Sequence, residues 1–124
     1  MAVAVRIIVG DAEFRGELND SATGTLLSNA LPLEGTASRW GGEYYFRVPV
    51  SAGLEDGAAD VVEPGELGYW PDGEALCLFW GPTPASRGDE CRAAGKVNRV
   101  GFAEGDFEAL SPMGPQVRIR VEKA

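Results

Sequence analysis

Short segments with alternating apolar and polar residues constrain the fold of this chain more than any other feature. Such alternation runs through residues 3–9 and 12–18, on either side of Gly10-Asp11, and again through residues 43–50. A period of two residues is typical of a strand with one buried face, and glycine followed by aspartate suits a type II′ hairpin turn. Residues 75–80 are apolar at every position, which predicts a strand covered on both faces. The chain is therefore predicted to be mainly β.

The remaining segments add further strands and two small helices. Strands are predicted at residues 67–70, 97–102 and 117–121. A polar connection is predicted between Pro32 and Glu43, and a loop or irregular strand at residues 51–64. A helix is predicted over residues 21–30, with its packed face formed by Ala22, Leu26, Leu27 and Ala30. A shorter helical turn is predicted over residues 106–110.

The glycine content supports the same architecture. Most of the 17 glycines stand singly between the apolar runs, as expected of turns that join short strands. About eight short strands with two small helices predict a closed antiparallel β-barrel with one or two short helices, because closure leaves no free strand edge. A length of 124 residues predicts one domain over residues 1–124.

Charge and segment composition exclude several classes of partner. A net charge of −8, with the basic residues dispersed, argues against binding to nucleic acid or to a membrane surface. Apolar runs are too short for a membrane-spanning helix, and the N-terminus lacks the layout of a signal peptide. We therefore expect a cytoplasmic protein, while its oligomeric state is not predicted.

The absence of histidine is the firmest chemical constraint. It excludes Ser-His-Asp and Cys-His catalysis and most zinc and iron sites, so neither a metal nor a cofactor is expected. Cys77 lies in an apolar run and is predicted to be a packed thiol, whereas Cys91 lies in a polar stretch. A disulfide between them is left open. The carboxylates of Glu34, Glu43 and Glu74 have no spacing typical of an acid–base pair and are predicted to be solvated.

Three stretches resemble segments of the cyclophilins. Residues 43–49 (EYYFRVP) resemble the strand that carries the cyclophilin catalytic arginine. Residues 65–70 (GELGYW) and 75–80 (ALCLFW) resemble the glycine–leucine strand and its aromatic partner. Residues 98–110 resemble the last strand and helix. The loop that supplies tryptophan and histidine in cyclophilins is replaced by residues 82–92, which contain neither residue.

A family of short prokaryotic cyclophilin-like proteins without an assigned activity is more similar still. Its recurring segments resemble ALPLEG at residues 30–35, SRWG at 38–41, YWP at 69–71 and FWGPTPAS at 79–86. This resemblance spans nearly the whole chain. It implies a closed cyclophilin-like barrel but no particular activity.

Arg47 is the one catalytic candidate, and the resemblance to cyclophilins nominates it. An arginine that donates to the prolyl nitrogen or carbonyl weakens amide resonance, which sets the barrier to prolyl isomerisation. This mechanism needs no titrating group. The alternative is an arginine that extends outward from the polar face of its strand.

Seven residues are candidates for ligand binding. The aromatic side chains of Tyr45, Trp70 and Phe79 form either the walls of a groove or part of the core. Arg39, Trp40, Thr83 and Arg87 lie in loops that suit an anionic or peptide-carboxylate group. Arg87 is alternatively part of a charged turn, paired with Asp89 or Glu90.

Three functional hypotheses follow. The leading one is a binding module that holds a peptide or small molecule in an external groove, bordered by Trp40, Tyr45, Trp70 and residues 82–87. The second is a weak peptidyl-prolyl isomerase that uses Arg47. The third is a non-catalytic assembly subunit.

Overall fold

The computed structural model describes residues 2–124, and its regular structure is almost entirely β. The nine strands found in these residues are β1 (Val3–Val9), β2 (Ala12–Leu18), β3 (Leu33–Arg39), β4 (Glu43–Arg47), β5 (Ala59–Val62), β6 (Glu66–Trp70), β7 (Ala75–Phe79), β8 (Cys91–Glu104) and β9 (Gln116–Lys123). One α-helix, α1 (Ala22–Asn29), and two short 3₁₀ turns (Pro71–Gly73 and Phe107–Leu110) accompany them. No helix in this part of the chain combines the length and the apolar character needed to cross a bilayer.

All strand pairings are antiparallel, and the hydrogen bonding closes into a ring. The strands follow one another in the order β2-β1-β9-β3-β4-β7-β6-β8, and β2 also pairs with β8. β5 lies outside the ring and pairs only with the first half of β8. The predicted closed antiparallel sheet is therefore confirmed.

Two glycines allow the ring to close between β2 and β8. A Cβ atom on Gly16 would lie 1.9 Å from the carbonyl oxygen of Phe102, and one on Gly101 would lie 2.1 Å from that of Glu17. Both distances are far shorter than any van der Waals contact. The two strands can approach this closely only because neither residue has a side chain.

The alternating apolar residues fill the interior of the ring. Val5, Ile7 and Val9 of β1 are buried, as are Tyr44 and Phe46 of β4. Tyr45 and Arg47, which alternate with Tyr44 and Phe46, point to the outer face of β4. The predicted facing of both segments is confirmed.

β3 is a difference from the sequence prediction, which placed a polar connection in this part of the chain. The strand pairs with β9 over residues 33–38 and buries Leu33 and Ala37. Residues 35–37 of this strand are glycine, threonine and alanine. These small side chains make the apolar alternation of β3 too weak to recognise.

The packed face of α1 also differs from the predicted one. The buried residues of the helix are Thr23, Gly24 and Leu27, while Leu26 is 45% exposed. Asn98 of β8 donates a side-chain hydrogen bond to the Thr23 hydroxyl at 3.0 Å, and Glu55 accepts hydrogen bonds from the Thr23 backbone and hydroxyl. The helix is therefore oriented by a buried polar network rather than by its leucine stripe alone.

β8 is twice as long as predicted, and its first half forms a second layer. Residues 98–102 pair with β6, whereas residues 91–97 pair with β5. We call β5 together with residues 91–97 the arm. The arm contributes to a second apolar cluster, separate from the ring interior, that consists of Val62, Cys77, Phe79, Cys91, Ala93 and Val97. All five residues of β7 are buried, so the predicted two-sided covering of this strand is confirmed.

Candidate functional site

A cavity of about 260 Å³ lies between the outer face of the ring and the arm. We call it the outer pocket. Its lining comes from the outer faces of β4, β6 and β7, from the turn before β4 and from the arm. The lining residues are Trp40, Glu43, Tyr45, Trp70, Cys77, Ala93, Ala94 and Val97.

Strand register brings the pocket residues of the ring together. Tyr45 of β4 is directly opposite Cys77 of β7, and Glu43 is opposite Phe79. Glu43 and Tyr45 are two residues apart, so they share one face of β4. That face is the outer one because Tyr44 fills the interior. Inward packing of β4 therefore determines which side chains line the pocket.

The loop after β7 holds the turn that carries Trp40 and Glu43. Gly42 donates a backbone hydrogen bond to Pro82 at 2.7 Å and accepts one from Trp80 at 2.8 Å. A Cβ on Gly42 would lie 2.4 Å from the backbone of Gly81, so only glycine allows this contact. Trp40 in turn donates to the Glu43 carbonyl at 2.8 Å. The orientation of this turn is thus set by backbone contacts.

The Trp70 ring lies against the turn that follows β6. A Cβ on Gly73 would be 2.6 Å from the Cε3 atom of the indole. The next residue, Glu74, has a φ of 47°, a left-handed conformation that ends the 3₁₀ turn. The absence of a side chain at Gly73 lets the indole lie flat across this turn, at one wall of the outer pocket.

Glu43 is the one carboxylic acid that lines the outer pocket, and it is only 5% exposed. Burial away from water raises the pKa of Glu43 to about 7, and a hydrogen bond with the Cys77 thiol offsets part of that rise. Among residues 2–124, no arginine or lysine forms an ion pair with it. The prediction of a solvated Glu43 is wrong, because its side chain is buried among the residues that line the outer pocket.

The thiol of Cys77 lies beside this carboxyl group. Burial is the main cause that raises the pKa of Cys77 well above its ordinary value, and the neighbouring Glu43 raises it further. The thiol is therefore uncharged at neutral pH and is a poor nucleophile. Cys77 is buried as predicted, Cys91 is buried as well despite its polar sequence context, and both are free cysteines.

Arg39 lies outside the outer pocket and has a structural role. One guanidinium nitrogen donates to three carbonyl oxygens at the end of the second 3₁₀ turn, at distances of 2.9–3.1 Å; these belong to Leu110, Ser111 and Met113. The guanidinium also lies 5.3 Å from the centre of the Trp80 ring. Arg39 thus ties this segment to the ring and is not directed at the outer pocket.

Thr83 and Arg87 belong to a tight loop after β7. The buried Thr83 hydroxyl donates to the carbonyl of Arg92 and accepts from the backbone of Ala85 at 3.2 Å. Arg87 is exposed, and its backbone N–H donates to the Glu90 carboxylate at 2.9 Å. This hydrogen bond, together with the Arg92 side chain, lowers the pKa of Glu90 to about 2. The ion-pair partner of Glu90 is Arg92.

Arg47 and Phe79 occupy opposite environments. The Arg47 side chain is 79% exposed and pairs with Glu74 at 2.9 Å, and it does not line the outer pocket. Phe79 is fully buried in the apolar cluster beneath the arm. Neither side chain borders the cavity.

Of the residues nominated from the sequence, the structure brings Trp40, Tyr45 and Trp70 to one pocket. Their role in binding stays a prediction. Glu43 and Cys77 were not predicted from the sequence as members of a pocket. Glu43 could have been nominated from its position, because it lies two residues before Tyr45 and therefore on the same face of the strand.

The described residues offer little for other kinds of site. Within residues 2–124, no group of three or more cysteine, aspartate or glutamate side chains is arranged to hold a metal ion. A second depression of about 320 Å³ lies at the seam between β2 and β8 and includes Glu17, Glu66, Arg99 and Phe102. Its arginine already forms two hydrogen bonds with Glu66, at 2.5 and 2.9 Å.

Comparison with known proteins agrees with this architecture. The solution structure of the hypothetical protein AF2241 from Archaeoglobus fulgidus is similar to this chain, with 37% sequence identity and a TM-score of 0.80. The match covers 98% of this chain and 95% of the archaeal one. Curated proteins give no match. The family model described as cyclophilin-like matches residues 3–122, so the chain belongs to the cyclophilin-like family.

Proposed function

We propose that this protein binds a small organic molecule in the outer pocket. The observation that carries this proposal is the convergence of Trp40, Tyr45 and Trp70 on a cavity that also contains one buried carboxyl group. Pockets for small ligands typically have apolar and aromatic walls with few polar groups that orient the ligand.

The size of the cavity favours a small molecule over a peptide. A volume of about 260 Å³ corresponds to roughly nine non-hydrogen atoms if each takes about 30 Å³, the share of a water molecule in the liquid. A peptide would place at most one side chain there. The floor of the pocket consists of strands. Gly68 of β6 is packed closely against the arm, since a Cβ atom on Gly68 would lie only 2.8 Å from the Val97 side chain.

The chemistry of the pocket favours binding over catalysis. The Cys77 thiol is uncharged at neutral pH, so it is a poor nucleophile. The guanidinium of Arg47, on which the isomerase hypothesis depends, is paired with Glu74 outside the pocket. Prolyl isomerisation by Arg47 remains an alternative prediction, with its own test below.

A fragment screen followed by NMR tests the proposal. Fragments of up to about nine non-hydrogen atoms are added to ¹⁵N-labelled protein, and we expect saturable shifts at the two indole N–H groups of Trp40 and Trp70. Trp70→Ala should weaken the binding of each hit by about tenfold or more, since an aromatic wall is lost. Phe102→Ala is the matched control, because that ring lies at the second depression.

Two results would contradict the proposal. One is the absence of saturable shifts across the whole screen. The other is binding that Trp70→Ala leaves unchanged while Phe102→Ala weakens it, which would move the site to the second depression.

A further inference from the structure

We propose, building on ligand binding in the outer pocket, that the ligand is a small organic cation of the alkylammonium class. Glu43 would provide the counter-charge at the floor of the pocket, and Trp40, Tyr45 and Trp70 the aromatic faces around the cationic group. The inference concerns the charge of the ligand and not its detailed structure.

The first support is the missing counter-ion of Glu43. A buried carboxylate is costly unless a positive charge or several hydrogen-bond donors compensate it. Glu43 is 5% exposed, and within residues 2–124 no basic side chain forms an ion pair with it. A cation in the adjacent cavity would compensate the charge that the protein leaves uncompensated.

Five glutamates that are more exposed than Glu43 have arginine partners, whereas the buried Glu43 has none among residues 2–124. The arginine–glutamate pairs on the surface are Arg6–Glu122, Arg47–Glu74, Arg99–Glu66, Arg120–Glu34 and Arg92–Glu90. These surface carboxylates remain partly in water and need a partner less than Glu43 does. Within residues 2–124, the buried carboxyl group of Glu43 thus lacks an arginine partner and lines a cavity instead.

The second support is the nature of the other walls. Aromatic faces attract cations through their quadrupole, with tryptophan the strongest, and cages of aromatic rings are a common way to bind alkylammonium groups. The remaining lining residues, Ala93, Ala94 and Val97, suit the methyl groups of such a cation. An anionic ligand is disfavoured, because no arginine or lysine is among the lining residues and the net charge of the chain is −8.

The test compares choline with 3,3-dimethylbutan-1-ol, a neutral molecule of the same shape in which carbon replaces the charged nitrogen. Both are titrated into ¹⁵N-labelled wild-type protein at pH 8 and constant ionic strength. We expect choline to bind at least about tenfold more tightly than the neutral alcohol. Glu43→Gln should remove this preference, because it should weaken the binding of choline far more than the binding of the alcohol.

A second variant separates the aromatic contribution from the charge. Trp70→Leu keeps an apolar wall but removes the π face, so choline should lose several-fold more affinity than the alcohol does. An unchanged amide spectrum away from the pocket confirms the fold of each variant. The second variant keeps the test decisive even if Glu43→Gln were to alter the shape of the pocket.

The outcomes distinguish this inference from the proposal on which it depends. If the alcohol binds as tightly as choline, or more tightly, the inference is overturned while small-ligand binding stands. If neutral fragments bind in the screen and choline does not, the inference is again overturned. If neither choline nor any fragment binds, both proposals fail.

Discussion

Replacing Glu43 by glutamine is expected to remove a pH dependence from the stability of this protein. Glutamine has nearly the same shape as glutamate but does not ionise. In the wild-type protein, burial raises the pKa of Glu43 to about 7, from an ordinary value of 4.5. The folded state therefore holds a proton on Glu43 that the unfolded chain has already released between these two pH values.

The sign and size of the effect follow from this difference. Because the folded state binds the proton more tightly, the free energy of unfolding is highest below about pH 4.5, falls as the pH rises towards 7, and then levels off. Each pH unit in this interval is worth about 1.4 kcal/mol, so the full effect is roughly 3 kcal/mol. That is a large part of a typical stability of about 5–15 kcal/mol.

Urea denaturation at a series of pH values from 5 to 8 measures this effect. The interval is favourable because the chain contains no histidine, the side chain that ordinarily titrates there. The α-amino group is common to both proteins and cancels in the comparison. Relative to Glu43→Gln, the wild-type protein should lose about 2.5 kcal/mol between the two ends of the series, because the series begins above pH 4.5. Glu108→Gln, at an exposed glutamate, is the control and should run parallel to the wild type.

Parallel pH profiles for the wild type and Glu43→Gln would refute the reasoning. That result would mean that water or a flexible arm solvates the carboxylate. Glu43 would then also fail as the buried counter-charge on which the proposed cation binding depends.

Three further predictions concern the seam, the isomerase hypothesis and ligand binding. Gly101→Ala should destabilise the protein by about 1–3 kcal/mol in urea denaturation, because its Cβ would meet the backbone of β2. Gly95→Ala, in the same strand, should change stability by less than about 0.5 kcal/mol, because no atom lies within 4 Å of its added Cβ. Equal losses of stability in the two variants would contradict the role of the β2–β8 seam. Wild type and Arg47→Ala should both exchange a prolyl peptide at the uncatalysed rate in NMR, and a faster wild-type rate that the variant loses would restore the isomerase hypothesis. The affinity for choline should rise about tenfold from pH 6 to pH 8 as Glu43 ionises, because the neighbouring Cys77 stays a neutral thiol over this range. An affinity that does not change with pH would exclude Glu43 as the counter-charge.

Much of the ring was predictable because the alternation of apolar and polar residues along a strand shows which of its side chains point inward. Residues 3–9, 12–18 and 43–47 alternate clearly, and apart from Glu43 their buried positions are among those expected. β3 was missed because glycine, threonine and alanine fill residues 35–37, so its sequence shows little apolar alternation. α1 was assigned the wrong face because Thr23 and its hydrogen bonds to Glu55 and Asn98 replace apolar contacts there.

Local pattern was enough to show which side chains of β4 point outward, and so to nominate Tyr45 beside Arg47. It was not enough to show which part of that outer face is covered. The buried Glu43 shares its cavity with Ala93, Ala94 and Val97, which are distant in sequence, whereas the exposed Arg47 lies outside that cavity. A carboxyl group loses its water only when another segment lies over it, so its burial, its raised pKa and the outer pocket itself are properties of how strands far apart in the chain come together.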